Sequence, residues 1–143
     1  MVRIFLTKTT GRVLVVRLEP GEDILKSIVR AVNEHSISSG YLSLIGAVSS
    51  VHLGYFDRDA NVYRDFTIHE DLEIVSCVGN VSKHNGDNVV HAHVVASNEK
   101  GQCYGGHLME GCTVSVTIEI VITEIPLMVR CLDEATGLNL LDL

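Results

Sequence analysis

The chain has 143 residues, a length that fits one domain, with 46% apolar and 20% charged residues, enough to build a core without disulfide staples. Eleven Lys and Arg against eighteen Asp and Glu give a net charge of −7 and no basic run, which argues against direct nucleic-acid binding, where neutralised phosphates supply much of the affinity. The longest apolar stretches are broken by Glu119 and Glu124 too soon to cross a bilayer, and Met1-Val2-Arg3-Ile4-Phe5-Leu6 is expected not to belong to a signal peptide. The expectation is a cytoplasmic protein without a membrane span, holding free thiols at Cys77, Cys103, Cys112 and Cys131.

No repeat or linker interrupts the chain, so residues 1–143 are expected to form a single domain. Residues 2–7 and 12–18 read as short strands joined by the polar turn Thr9-Thr10-Gly11. Glu19-Pro20-Gly21-Glu22-Asp23 then supplies a helix start, with acidic residues favoured by the helix dipole. Ile24, Leu25, Ile28, Val29 and Val32 line one face of that helix, and Gly40 closes the segment. Residues 42–53, 61–68, 72–81 and 89–96 read as strands. Residues 113–122 alternate as Thr-Val-Ser-Val-Thr-Ile-Glu-Ile-Val-Ile, a period of two that buries one face. The tail after Pro126 carries little pattern. Many strands with little helix predict an α+β fold, mainly an antiparallel β-sheet with flanking helices.

Seven histidines occur, and three form a constellation. In the strand containing His91-Ala92-His93, residues two apart point to one face, so both imidazoles emerge about 6.5–7 Å apart at Cα. After Asn98, the residues Glu99-Lys100-Gly101 suit a three-residue hairpin loop with glycine in the left-handed position. Counting back along both arms brings His93 opposite His107, so that His91, His93 and His107 share a patch. A bulge at Gly105-Gly106 would instead slip the pairing by one residue. Three neutral imidazoles suit zinc or another divalent transition metal and leave a position open for water or substrate. A buried hydrogen-bonded cluster or interface packing would use the same residues differently. Cys103, Glu110, Glu124 and His84 are secondary candidates, the last as a fourth ligand. His35, His52 and His69 show no partner pattern.

These same residues carry a resemblance. His91-Ala92-His93, Gly101 and the run Gly105-Gly106-His107-Leu108-Met109-Glu110-Gly111 resemble the signature of the plants-and-prokaryotes-conserved (PPC) domain family. In plant nuclear proteins this domain follows an AT-hook DNA-binding motif. Glu73–Asn80, Gly21-Glu22-Asp23-Ile24 and residues 40–47 resemble other family segments, so nearly the whole chain is covered. The resemblance implies an antiparallel sheet with flanking helices, assembled as a homotrimer. It also implies the prokaryotic histidine-bearing branch, with His91, His93 and His107 at the matching metal-ligand positions. The chain departs from the plant pattern: it has no Arg-Gly-Arg-Pro core, and Asp71-Leu72 stands where the plant partner-contact motif has Arg-Phe.

Two functions compete at this level. One is a small metalloprotein, an enzyme if the open metal position activates water toward a small-molecule ligand. The other is a DNA-associated or protein-interaction module in which the metal is structural. A cupin also begins its metal motif with His-x-His, but Glu99 comes too late after His93 and the Gly-Gly-His does not fit its second motif. No phosphate-binding glycine loop, serine elbow or dinucleotide fingerprint is present, so no motif names a reaction.

Overall fold

The computed structural model describes residues 11–143. The expected strand over residues 2–7 and the first part of the turn after it lie outside them. β1 (Val13–Leu18) alternates between water and core, as its valines and leucines require. α1 (Ile24–Glu34) begins at Asp23, whose carboxylate accepts from the Lys26 amide at 2.9 Å and from the Gly111 amide at 2.6 Å. Ile24, Ile28, Ala31 and Val32 bury its inner face. The helix ends earlier than the expected Gly40. Ser36 turns left-handed at φ 54°, and the Ile37 amide bonds back to the Val32 carbonyl at 2.9 Å.

The rest is strand: β2 (Gly40–Asp57), β3 (Val62–Ile68), β4 (Leu72–His84), β5 (Asp87–Ser97), β6 (Cys103–Leu108), β7 (Thr113–Glu124), β8 (Val129–Leu132) and β9 (Asn139–Asp142). All lie in one sheet, and only the β4–β8 contact is parallel. The fold is therefore α+β and dominated by antiparallel sheet. α1 is the one helix among the described residues, so the expected flanking helices reduce to one. The connections after β2 are short and turn-rich, leaving no length for another.

β2 organises the sheet. Its residues 40–50 lie between β7 and β4, while residues 51–57 pair with β3 and Leu53 and Gly54 also meet β6. Since β4 pairs with β5 and β5 with β6, strands β2, β4, β5 and β6 close a ring of neighbours. The register against both flanking strands shifts near Gly46. There φ is 144°, and a Cβ would stand 2.1 Å from the Thr117 carbonyl, so only glycine fits.

The inner face packs Leu42, Leu44, Cys77, Val94 and Ile120 against α1. The outer face is different. Val15, Val121, Ser43, Val78, His93 and His107 are successive cross-strand partners over β1, β7, β2, β4, β5 and β6. Opposed residues share a face. The histidines therefore stand on the side of the sheet turned away from the core, His93 next to exposed Val78 and in one row with exposed Val121 and Val15.

Candidate metal centre

The hairpin that aligns the histidines is set by its turn. The Asn98 amide donates to the Gln102 carbonyl at 3.0 Å, and the Asn98 side-chain oxygen accepts from the Lys100 and Gln102 amides at 3.0 and 3.1 Å. Gly101 takes the left-handed position at φ 75°. From Ser97 opposite Cys103 the pairing runs unbroken to His93 opposite His107. Gly105 and Gly106 form no bulge, and the expected register holds. Gly106 serves close approach instead, since a Cβ there would lie 2.9 Å from the Gly54 carbonyl of β2.

His91, His93 and His107 converge. Their ring centroids are 5.1 Å apart for His91–His93 and for His91–His107, and 5.8 Å for His93–His107. One nitrogen from each ring lies within 4.8 Å of those of the other two. A tetrahedral ion with nitrogen bonds of roughly 2.1 Å holds its ligand atoms about 3.4 Å apart, a gap that small side-chain turns close. The cluster can thus coordinate a divalent metal. His91 and His107 are half-buried and His93 is exposed, so the cluster is open on one side.

The electrostatics favour the ligand form of two of the rings. Burial pushes the His91 pKa down to about 4, helped by the charges of His107, Arg130 and His93. His107 is lowered by burial too, and then by His93 and Arg130. Neutral imidazole is the form that donates a lone pair to a metal. The decisive detail is His107 Nδ1, which is buried and has no hydrogen-bond partner among the described residues. A buried polar atom without a partner is costly and calls for an ion or water to meet it. The donor set and this orphaned nitrogen together fit a metal.

The surroundings of the triad include residues that sequence patterns did not single out. The Tyr63 ring packs on His107 at 5.0 Å between centroids. Gly54 makes room for it, because a Cβ there would meet Tyr63 at 3.1 Å and the Met109 sulfur at 3.0 Å. Asn80 stands opposite His91 on β4 and accepts a hydrogen bond from Arg130 Nη2 at 2.8 Å. Arg130 also donates from Nε to Ser82 Oγ at 2.7 Å and from Nη1 to the Asn139 carbonyl at 2.8 Å. The one available signal for Arg130 was its isolation in the apolar run Leu127-Met128-Val129-Arg130-Cys131-Leu132.

The secondary candidates are engaged elsewhere. Glu110 pairs with Lys26 at 3.2 Å, and Glu124 with Arg12 at 3.0 Å near β1. His84 Nδ1 donates to the Arg130 carbonyl at 3.0 Å, and its Nε2 lies 3.2 Å from the Asn85 amide, so both of its nitrogens are occupied. Cys103 is exposed and donates to the Gly101 carbonyl at 3.6 Å. None of these four joins the cluster of three.

Comparison with known proteins agrees with this architecture. The profile of the Plants and Prokaryotes Conserved (PCC) domain matches residues 6–126. The structure of a metal-containing protein from Archaeoglobus fulgidus superposes with a TM-score of 0.88 at 33% identity, covering 98% of this chain and 99% of that one. A plant- and prokaryote-conserved protein from Pyrococcus horikoshii gives a TM-score of 0.87 at 30% identity, covering 96% and 97%. A curated relative, the bifunctional protein GlmU of a Synechococcus strain, is 32% identical over 125 residues. That match takes in 85% of this chain but spans only 18% of the relative's length.

Proposed function

The chain belongs to the Plants and Prokaryotes Conserved (PCC) domain family, and on that footing we propose that it is a zinc-binding protein of the histidine-bearing prokaryotic branch, with His91, His93 and His107 as its ligands. The observation that carries this reading is the buried, unpartnered Nδ1 of His107 in a cluster of three rings, two of which, His91 and His107, have pKa values lowered by burial. The metal-containing description of the Archaeoglobus fulgidus structure supports it. In this reading residues 1–143 act as one cytoplasmic domain.

Held by His91, His93 and His107, a zinc ion would supply Lewis acidity toward an oxygen of a small-molecule ligand. The chain's own contribution is orientation and charge. The β5–β6 hairpin fixes two ligands in register, Tyr63 packs on His107, and burial, with Arg130 among the lesser contributors, lowers the pKa of His91 and His107. The assembly proposed is a homotrimer, supported by the exposed apolar side chains that share the triad's face, Val15, Val121, Val78 and Val95 among them. A site for a small molecule between subunits follows from that arrangement. A DNA-associated role would need a basic footprint, and a net charge of −7 supplies none.

Elemental analysis of the tag-free protein beside a His93→Ala variant tests the reading. About one zinc per chain in the wild type, lost in the variant, is the expected result. Absence of any transition metal from the wild type after reconstitution would overturn it and leave the three rings as an interface cluster.

A further inference from the structure

Arg130 is 7% exposed, and a guanidinium so deeply placed is costly unless its charge is matched. Its hydrogen bonds go to Ser82 Oγ, the Asn139 carbonyl and Asn80 Oδ1, all neutral acceptors. A guanidinium carries five N–H groups, so one on each terminal nitrogen has no acceptor among the described residues. No described carboxylate pairs with it. Residues 1–10 contain no Asp or Glu that could do so either.

The position of this cation matters as much as its isolation. Asn80, which holds Nη2, is the cross-strand partner of His91, and Ser82 follows on the same face of β4. The guanidinium is thus anchored beside the triad, on the side of the sheet away from the core. Three neutral imidazoles would leave the charge of a divalent ion uncompensated as well. A divalent ion held there would stand as a second positive centre near the guanidinium, and no described carboxylate joins either one.

We propose that Arg130 and the histidine triad form one binding site for a small carboxylate-bearing molecule. The planar carboxylate matches the guanidinium fork, which takes it through the two free N–H groups. A second oxygen on the same molecule is directed to the open metal position, and for that second contact the inference rests on the metal reading above. Asn80 is a positioning residue, since it sets the guanidinium relative to His91.

Ligand-observed NMR titration of the full chain tests this, with lactate as probe because it joins a carboxylate to a neighbouring hydroxyl. Lactamide is its neutral counterpart and inorganic phosphate the competing anion. Zinc content is measured on every sample, and the metal-free protein is titrated in parallel. Lactate is expected to bind more tightly than lactamide by about tenfold or more, and Arg130→Met to lose that preference while keeping its zinc. Since Arg130→Met removes buried hydrogen bonds, Asn80→Asp gives a second arm. Placing a carboxylate within reach of Nη2 is expected to stabilise the fold and to abolish lactate binding.

Equal binding of lactate and lactamide, or lactate binding unchanged in Asn80→Asp, would overturn the inference, and so would binding of phosphate alone. A zinc-loaded protein that ignores lactate sinks this inference but not the metal reading. Lactate binding to a protein that never takes up metal, lost in Asn80→Asp, sinks the metal reading and leaves the anion site standing.

Discussion

His52 sits between two acceptors. Its Nδ1 donates to the Glu110 carbonyl at 2.6 Å, and its Nε2 meets the Asp65 carboxylate at 2.6 Å. Only a doubly protonated ring serves both, so its pKa is raised, first by the Asp65 hydrogen bond and then by the Glu110 carbonyl. The folded state therefore holds this proton more tightly than the unfolded chain, where histidine titrates near about 6.5. The resulting stability is fully present below that pH and is lost as pH rises through the raised folded value. Replacing Asp65→Asn should accordingly lower the urea midpoint more at about pH 5.5 than at about pH 8.5. Equal losses at both would mean that the ring is not charged. At this scale the sequence was legible where spacing sufficed: His91 and His93 share parity on one strand, and Gly101 sets the turn that brings in His107. His52, Tyr63 and Arg130 were not legible, because each meets partners on other strands, most of them distant in the chain, and none repeats at a telling interval.

The elements depend on a few backbone positions. Asp23 holds α1 through Lys26 and ties it to the Gly111 turn before β7. Asp23→Ala removes both bonds and is expected to cost about 1–2 kcal/mol in thermal or urea unfolding. Gly46 is less forgiving. With φ at 144° and the Thr117 carbonyl 2.1 Å from any added Cβ, Gly46→Ala is expected to cost about 3 kcal/mol or more and to disturb the β2–β7 pairing, read as faster amide exchange in both strands. Strand pattern was readable for β1, β2, β3, β4, β5 and β7, where β-branched residues alternate or cluster. The ends were not. α1 stops at Glu34 because Ser36 turns left-handed, a conformation that the serine itself does not advertise. β8 and β9 have four residues each and exist through their mutual pairing and the β4 edge, a tertiary cause with no local periodicity.

At the scale of the whole molecule, the sheet has two faces with different tasks. The inner one is closed by α1 and filled with aliphatic side chains. The outer one leaves Val15, Ile45, Val78 and Val121 exposed, a surface suited to burial against further copies of the chain. Sedimentation equilibrium is expected to return a trimer for the wild type, and Val121→Lys to shift it toward the monomer with helix and strand content unchanged. A monomeric wild type would remove that assembly. The two faces also divide the labour within β5, where Ala92, Val94 and Ala96 point into the core while His91, His93 and Val95 point out. Architecture and chemistry are thus written on alternate letters of the same strand, and either can be edited without rewriting the other. Descendants of one ancestor could exchange all three histidines and keep this scaffold, so kinship of shape within such a lineage carries no promise of a shared ion; the outward letters of β5 and the His107 position of β6 have to be read each time.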